Sequence, residues 1–144
     1  MNEKKILREE YKEILINITP ERRFQAKKTL LHALKHDLAP FHKVLSFVSF
    51  KSEIDLSEIN EFLLNEKKLT LANLPPPDCD CILVPGLAFD QKGYRLGRGK
   101  GHYDKLLAIY ENIYTIGVCF QEQVALNDLP KEPHDQRVQK VCAF

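Results

Sequence analysis

The sequence predicts an α/β domain of three layers, Rossmann-like, in which a mainly parallel sheet is flanked by helices. Three observations support this prediction. Segments with apolar residues at helical spacing alternate with apolar strand-like segments. Several of these strand-like segments are short continuous apolar runs, as expected for strands covered on both faces. The length of 144 residues is that of one ordinary domain, so we expect a single domain over residues 1–144.

Three helices and a strand are predicted in the first half of the chain. The first helix spans 3–17 and presents an apolar stripe of Ile6, Leu7, Tyr11, Ile14 and Leu15. Thr19 and Pro20 fit the N-cap and first residue of a second helix. Its expected buried face is Phe24, Leu30, Leu31, Leu34 and Leu38. The run 43–50 predicts a strand. Asp55 and Glu58 fit a cap for a third helix, which is expected to bury Leu56, Ile59, Phe62 and Leu63.

The second half supplies the other strands of the predicted sheet. We expect these strands at 69–74, 81–85, 114–120 and 138–144. Prolines at 75–77 prevent regular structure there, and a helix covers Tyr103 to Tyr110. Ligands of parallel sheets collect where strands end, so the loops after Phe50 and Val84 should lie together.

Composition restricts the class of protein. Twenty-one basic residues stand against 20 acidic ones, and the net charge of +1 offers no general attraction for nucleic acid. No apolar run approaches the roughly 18 residues of a membrane span, and the charged N-terminus is unlike a secretion signal. We therefore expect a cytoplasmic monomer with neither nucleic-acid nor membrane partners. The four cysteines lack the spacing of a zinc site and are expected to be buried, reduced thiols.

The backbone of residues 93–105, GYRLGRGKGHYDK, suits a phosphate chain. Glycine at alternate positions 97, 99 and 101 lets N–H groups turn inward, and the following helix adds its positive N-terminal end. The loop is not a P-loop, which would need glycine in place of Tyr94, nor a dinucleotide loop, which would need glycine in place of His102.

The charges of the loop also suit a triphosphate. Arg95, Arg98 and Lys100 are positive, whereas Asp104 would repel phosphate and is better explained as a Mg²⁺ ligand. The alternative is an Arg/Gly-rich surface turn in which Asp104 is only a charge at a helix start.

With ILVPGLAFD before it, the loop resembles the signature of the 5-formyltetrahydrofolate cyclo-ligase family, also called methenyltetrahydrofolate synthetases. Further matches follow in order along the chain. The first helix has a Lys-x-x-x-Arg pair at Lys4 and Arg8, and TPER opens the second helix. KSEID follows the first strand, and EPHD lies near the end of the segment FQEQVALNDLPKEPHDQRV.

The resemblance implies an ATP-dependent ring closure. The formyl oxygen of 5-formyltetrahydrofolate would attack the γ-phosphate of Mg·ATP. The N10 amine would then attack the activated carbon, giving 5,10-methenyltetrahydrofolate, ADP and phosphate. Such a site supplies positioning and charge neutralisation more than a strong base. The implied partners are small molecules, ATP and a reduced folate, with Mg²⁺ as cofactor.

The resemblance also implies residue roles. ATP would be bound by Lys4, Arg8, Arg95, Gly97, Arg98, Gly99, Lys100, Gly101, His102 and Tyr103. The folate would contact Glu53, Arg98, Gly99, Lys100, Gly101 and His102, and catalysis would involve Glu53, Arg98 and Lys100. Mg²⁺ would be held by Asp104 and Asp135.

Some of these residues have ordinary alternatives. Lys4 and Arg8, one turn apart, also fit a solvated helix face. Glu53 suits the N–H donors of a pterin or the attacking amine, but it also fits a charge before a helix cap. His134 fits a residue that orients Asp135, a contact to phosphate, or an exposed loop position. The pair at 32 and 36 is treated as exposed histidines because no third metal ligand is evident.

The chain departs from the family pattern in two places. Relatives have a longer segment in place of residues 69–80, which helps to cover the folate, so the expected domain is shortened there. His102 replaces a common tyrosine and would make the site sensitive to pH near neutrality. The alternative function is an ATP-binding relative that has lost folate activity or acts on another small molecule. A pterin-sized pocket beside the glycine loop would favour the cyclo-ligase.

Overall fold

A parallel sheet of five strands forms the centre of the computed structural model, which describes residues 3–144. Residues 1 and 2 of the predicted domain lie outside the described residues. The strands in chain order are β1 Val44–Leu45, β2 Leu69–Thr70, β3 Cys81–Val84, β4 Ala88–Phe89, β5 Arg95–Leu96, β6 Tyr114–Cys119 and β7 Lys140–Ala143. The main sheet has the order β2-β1-β3-β6-β7 with every pair parallel, and β4 and β5 form a separate antiparallel hairpin.

Helices cover both faces of the sheet. They are α1 Glu3–Ile16, α2 Pro20–Asp37, α3 Ser57–Asn65 and α4 His102–Ile109, with a short 3₁₀ helix at Gln121–Gln123. Alternate residues of β3 face opposite sides, because side chains alternate along a strand. Leu83 joins the core under α1, α2 and α3, whereas Ile82 packs with α4. The predicted three-layer α/β fold is confirmed.

The helix starts differ in how well the sequence predicts them. Thr19 caps α2 as predicted, and its Oγ1 accepts a hydrogen bond from the Arg22 N–H at 3.1 Å. The predicted cap of α3 is wrong by one residue, since Leu56 occupies the N-cap. The Asp55 carboxylate accepts instead from the N–H of Ser57 at 2.8 Å, which is an Asx turn before the helix.

The predicted apolar faces of α1 and α2 are partly wrong. Phe24 is 60% exposed, and ammonium groups of lysines one turn away lie 5.8 and 5.4 Å from its ring centre. Ala26 is buried instead, on the same face of α2 as Leu30 and Leu34. In α1 only Leu15 is fully buried, while Ile6 and Ile14 are exposed.

The strand predicted over 43–50 is shorter in the structure. Only Val44–Leu45 pairs with both neighbours, β2 and β3. The rest of the run becomes part of a loop that reaches Glu53. The hairpin of β4 and β5 is not predicted by the sequence, and it is this hairpin that brings Arg95 back beside the end of β3.

The cysteines are all buried free thiols, as predicted. Burial raises the pKa of Cys81 and of Cys119 to about 12, so both stay protonated at neutral pH. Within residues 3–144, none of the helices combines the length and the apolar character that a membrane crossing requires.

Candidate functional site

Two adjoining cavities lie around the glycine loop of residues 97–101. The first, which we call the polar cavity, has a volume of about 200 Å³. It is lined by Lys4, Arg8, Arg95, Leu96, Gly97, Gly99, Gly101, Asp104, Glu132, His134 and Asp135. The second, the aromatic cavity, has a volume of about 370 Å³. It is lined by Phe47, Val48, Phe50, Glu53, Pro85, Gly86, Arg95, Arg98, Lys100, Gly101, His102 and Tyr103.

Glycines and long side chains alternate along the loop that separates these cavities. Its three glycines line the polar cavity, whereas Arg98, Lys100 and His102 between and after them line the aromatic cavity. Gly99 and Gly101 have φ values of 107° and 72°, which glycine adopts far more readily than other residues. The backbone at Gly97 and Gly99 therefore faces the polar cavity, and the long side chains face the aromatic cavity.

Two arginines fix the loop. Arg8 of α1 donates from Nε to the carbonyl of Gly97 at 2.9 Å, and its guanidinium also lies close to Gly99. Arg95 donates from Nε to the carbonyl of Pro85 at 3.0 Å and lies 5.4 Å from the ring centre of Tyr103. Its side chain is only 7% exposed, and burial lowers its pKa. Because Arg95 lines both cavities, it forms part of the wall between them.

Opposite charges already pair across the polar cavity. Lys4 Nζ donates to Asp135 Oδ2 at 2.6 Å and lies 3.5 Å from a carboxylate oxygen of Glu132. Burial would raise the pKa of Asp135, but the hydrogen bonds from Lys4 and from the Glu132 N–H hold it below its usual range. His134 is 69% exposed at the rim, 3.6 Å from Asp135. Both cationic and anionic groups therefore face this cavity.

The predicted metal ligands Asp104 and Asp135 line the same cavity. Each stands beside a cation, Asp104 at 3.8 Å from Arg95 and Asp135 at 2.6 Å from Lys4. Across residues 3–144 there is no cluster of three Asp, Glu, His or Cys residues that would hold a metal by itself. Mg²⁺ commonly takes one or two carboxylates together with phosphate and water. The pair therefore fits Mg²⁺ that arrives with a phosphate ligand.

Glu53 lies in the aromatic cavity, where the loops after β1 and β3 meet as predicted. Its Oε1 accepts from the N–H of Phe50 at 2.6 Å, and its Oε2 lies 4.0 Å from Arg98. Burial raises the pKa of Glu53, and the bond to Phe50 and the nearby arginines only partly oppose this. The bond at the start of α3 is made by Asp55, so Glu53 faces the cavity and is not needed for the helix.

Sequence reasoning missed the apolar lining of this cavity. The sequence predicts a strand that includes Phe47, Val48 and Phe50, but these residues form one side of the cavity, and Phe50 is 54% exposed. The guanidinium of Arg98 lies 5.3 Å from the Phe50 ring centre. The available signal was the apolar run that continues beyond the two residues paired in β1.

Two buried polar residues that support the site were also missed. Gln123 is 1% exposed, and its Nε2 donates to the carbonyls of Gly86 and Leu87 at 2.9 and 3.1 Å. Asp90 is 2% exposed and accepts backbone N–H groups within the β4–β5 turn and from Leu129. Their neighbours in sequence gave no signal, because the carbonyl and N–H partners become visible only in the fold.

Comparison with known proteins identifies the family. The model of the 5-formyltetrahydrofolate cyclo-ligase family matches residues 70–143, which is more than half of the chain. The chain belongs to this family. A 5-formyltetrahydrofolate cyclo-ligase of Haemophilus influenzae is 37% identical over 102 residues, which cover 68% of this chain and 54% of the relative. A probable 5-formyltetrahydrofolate cyclo-ligase of Schizosaccharomyces pombe is 39% identical over 72 residues, covering 42% and 35%.

Solved structures of the family have the same fold. The 5,10-methenyltetrahydrofolate synthetase of Aquifex aeolicus superposes with a TM-score of 0.79 at 29% identity, covering 96% of this chain and 88% of that one. The synthetase of Mycoplasma pneumoniae gives a TM-score of 0.81 at 20% identity, covering 97% and 98%. The chain matches only about a third to a half of the length of the curated relatives above.

Proposed function

We propose that this family member is an ATP-dependent 5-formyltetrahydrofolate cyclo-ligase, which forms 5,10-methenyltetrahydrofolate, ADP and phosphate. The observation that carries this proposal is the pair of adjoining cavities on opposite sides of one glycine loop. The polar cavity offers cations and backbone to a triphosphate, and the aromatic cavity offers rings and one buried carboxylate to a pterin. Names of the relatives at 37% and 39% identity agree with this activity.

The reaction would take place at the wall between the cavities. The formyl oxygen forms a bond to the γ-phosphorus while the bond from phosphorus to the β,γ-bridging oxygen breaks, and ADP leaves. The N10 nitrogen then forms a bond to the formyl carbon, its proton passes to solvent, and phosphate leaves with the former formyl oxygen. An amide oxygen becomes a good leaving group only once it is phosphorylated, which explains the need for ATP.

The chain contributes mainly charge and position to these steps. Lys4 and Arg8 bind phosphate oxygens, with Arg8 holding the loop at Gly97. Arg98 and Lys100 face the aromatic cavity and stabilise charge on the transferred phosphoryl group. Glu53 accepts hydrogen bonds from the pterin and orients it.

The remaining assignments follow the same division. Mg²⁺ bound with ATP would be held by Asp104 and Asp135 and would neutralise charge on the phosphates. Tyr103 lines the aromatic cavity, and burial raises its pKa to about 12, so it stays a neutral hydrogen-bond donor. We further propose a cytoplasmic monomer with one domain over residues 1–144, shortened at 69–80. The even balance of charge in the sequence favours small-molecule ligands over nucleic acid.

The test is to mix the protein with 5-formyltetrahydrofolate and Mg·ATP and to follow the near-ultraviolet absorbance of the methenyl product. We expect a rise that requires ATP. Glu53→Gln should reduce turnover by about 10- to 100-fold, the loss expected for one charge-assisted hydrogen bond. Glu61→Gln, an exposed glutamate of α3, is the matched control and should leave the rate unchanged. Absence of any rise, with ATP binding confirmed separately, would leave the alternative of a nucleotide-binding relative with another substrate.

A further inference from the structure

Arg23 of α2 hydrogen-bonds directly to the turn that carries Glu53. Its Nη1 donates to the carbonyl of Ser52 at 3.0 Å, one residue before Glu53. Its Nε donates to the carbonyl of Ile18 at 3.1 Å, and its Nη2 donates to the carbonyl of Leu15. One guanidinium therefore joins the end of α1 to the loop that reaches the aromatic cavity.

The geometry of Arg23 suits a fixed connection. The donors of a guanidinium lie in one plane at set angles, so three carbonyls bound together define its orientation. The last carbonyls of a helix lack intrahelical partners, so the carbonyl groups at the end of α1 are available to accept hydrogen bonds from Arg23. The ring of Phe120, which is 1% exposed, lies 5.4 Å from the Arg23 guanidinium and limits its movement.

The turn itself needs such support. Lys51 has a φ of 35°, a conformation that non-glycine residues adopt only when their surroundings hold them. Within the turn, the Glu53 N–H donates to the carbonyl of Phe50, and the Phe50 N–H donates to the Glu53 carboxylate. After the turn, Ile54 is buried and its carbonyl accepts from Ser49 Oγ at 2.6 Å, which holds the C-terminal side of the turn. Arg23 adds a bond at Ser52, on the residue directly before Glu53.

We infer that Arg23 is a positioning residue for the folate side of the site, which holds the Glu53 carboxylate in the aromatic cavity by binding the Ser52 carbonyl. The inference rests on the proposed function for the identity of the ligand. Arg23 lines neither the polar nor the aromatic cavity, so its expected action is through the turn and not by contact with nucleotide or folate.

Arg22 provides a matched control in the same helix. Its guanidinium also lies near the Phe120 ring, at 5.7 Å, and it also binds a backbone carbonyl, that of Phe144. Its other partner is the carboxylate of Glu122, at 2.8 and 3.0 Å, and no bond joins it to the turn of Glu53. Replacing Arg22 removes an arginine from the same ring and leaves the Ser52 contact in place.

The experiment compares Arg23→Met, Arg23→Lys and Arg22→Met in the full chain. Amide hydrogen exchange at Glu53 reports the turn without any ligand, and binding of 5-formyltetrahydrofolate and of Mg·ATP is measured separately by calorimetry. For Arg23→Met we expect at least about tenfold faster exchange at Glu53 relative to the buried amides of β3, since a tethering bond is lost. We also expect about tenfold weaker folate binding with Mg·ATP binding unchanged.

The control variants decide how the result is interpreted. Arg23→Lys keeps the charge but reaches fewer carbonyls, so its exchange at Glu53 and its folate affinity should lie between those of the wild type and Arg23→Met. Arg22→Met should match the wild type in both measurements. If Arg23→Met fails to fold, Arg23→Lys is judged by the same criteria. Unchanged exchange at Glu53, or equal losses for both ligands, would overturn the inference. If the wild-type protein binds no 5-formyltetrahydrofolate, the proposed function fails, while exchange at Glu53 still tests the tether.

Discussion

The polar and aromatic cavities share a loop but differ in how their charges are arranged before a ligand binds. In the polar cavity, Lys4 is paired with Asp135 at 2.6 Å and Arg95 stands 3.8 Å from Asp104. In the aromatic cavity the shortest separation of opposite charges is the 4.0 Å between Arg98 and Glu53, among the pairs within residues 3–144. On the proposed function, a triphosphate would have to replace existing ionic partners, whereas a pterin would meet a carboxylate whose closest arginine stands 4.0 Å away.

This difference suggests that each cavity can be disabled without the other. Substitutions of groups that line one cavity should weaken one ligand alone, and only groups in the shared wall should affect both. Arg95 is the long side chain that lines both cavities, so a displacement of Arg95 is where the separation should fail.

The largest expected effect comes from Gly97→Ala. A Cβ at residue 97 would lie 2.5 Å from Nη2 of Arg95, whose side chain is buried and has little space to move. Overpacking of this kind costs about 1–3 kcal/mol. Displacement of the shared wall should weaken both Mg·ATP and folate, each by up to about 100-fold. Titration calorimetry with each ligand measures this.

Gly101→Ala serves as the control for that substitution. A Cβ there meets nothing within 4 Å, and the strain comes only from the φ of 72°. We expect a loss of about 1–2 kcal/mol in the free energy of unfolding, without a steric displacement of Arg95. If Gly97→Ala weakened only one ligand, Arg95 would not be a wall common to both.

Lys4→Met should weaken binding in the polar cavity alone. It removes one charge-assisted contact to phosphate, so Mg·ATP affinity should fall about 10- to 100-fold while folate affinity stays the same. Lys5→Met, an exposed lysine of the same helix, is the control and should change neither. Equal weakening of folate binding would show that the polar cavity and the aromatic cavity are coupled through more than Arg95.

Phe50→Ala should weaken folate binding alone, by less than Lys4→Met weakens Mg·ATP binding. The ring lines the cavity but is 54% exposed, so its loss removes part of one aromatic contact, about 0.5–1.5 kcal/mol. Folate affinity should fall about two- to tenfold, with Mg·ATP binding unchanged. Phe24→Ala, at an exposed ring on α2 outside both cavities, should not alter folate affinity.

The sequence predicts the residues of the site better than the contacts that hold them in place. The glycine spacing, the carboxylates and the order of motifs were local features, and the residues they named line the two cavities as a group. The β4–β5 hairpin was not visible, because its turn is stabilised by Asp90 through contacts such as the N–H of Leu129, 39 residues away. Arg23 and Gln123 were missed for the same reason, since each binds backbone carbonyls that the sequence does not distinguish.

The smallest effect we predict is a pH dependence that belongs to the aromatic cavity. Burial raises the pKa of Glu53 above that of an ordinary glutamate, and among the charges that act on it Arg98 and Arg95 only partly oppose this shift. The raised pKa means that the folded protein binds this proton more tightly than the unfolded chain. The contribution of Glu53 to stability is therefore fully present at acid pH and is lost as pH rises through the folded pKa.

Ligand binding should show the opposite trend. The ionised carboxylate accepts pterin N–H groups, so folate affinity should fall on acidification, beginning at a higher pH than for an exposed glutamate, while Mg·ATP affinity lacks this step. Affinity measured across the acidic range in Glu53→Gln should lose that step. If the acidic step persisted in Glu53→Gln, its assignment to Glu53 would be wrong.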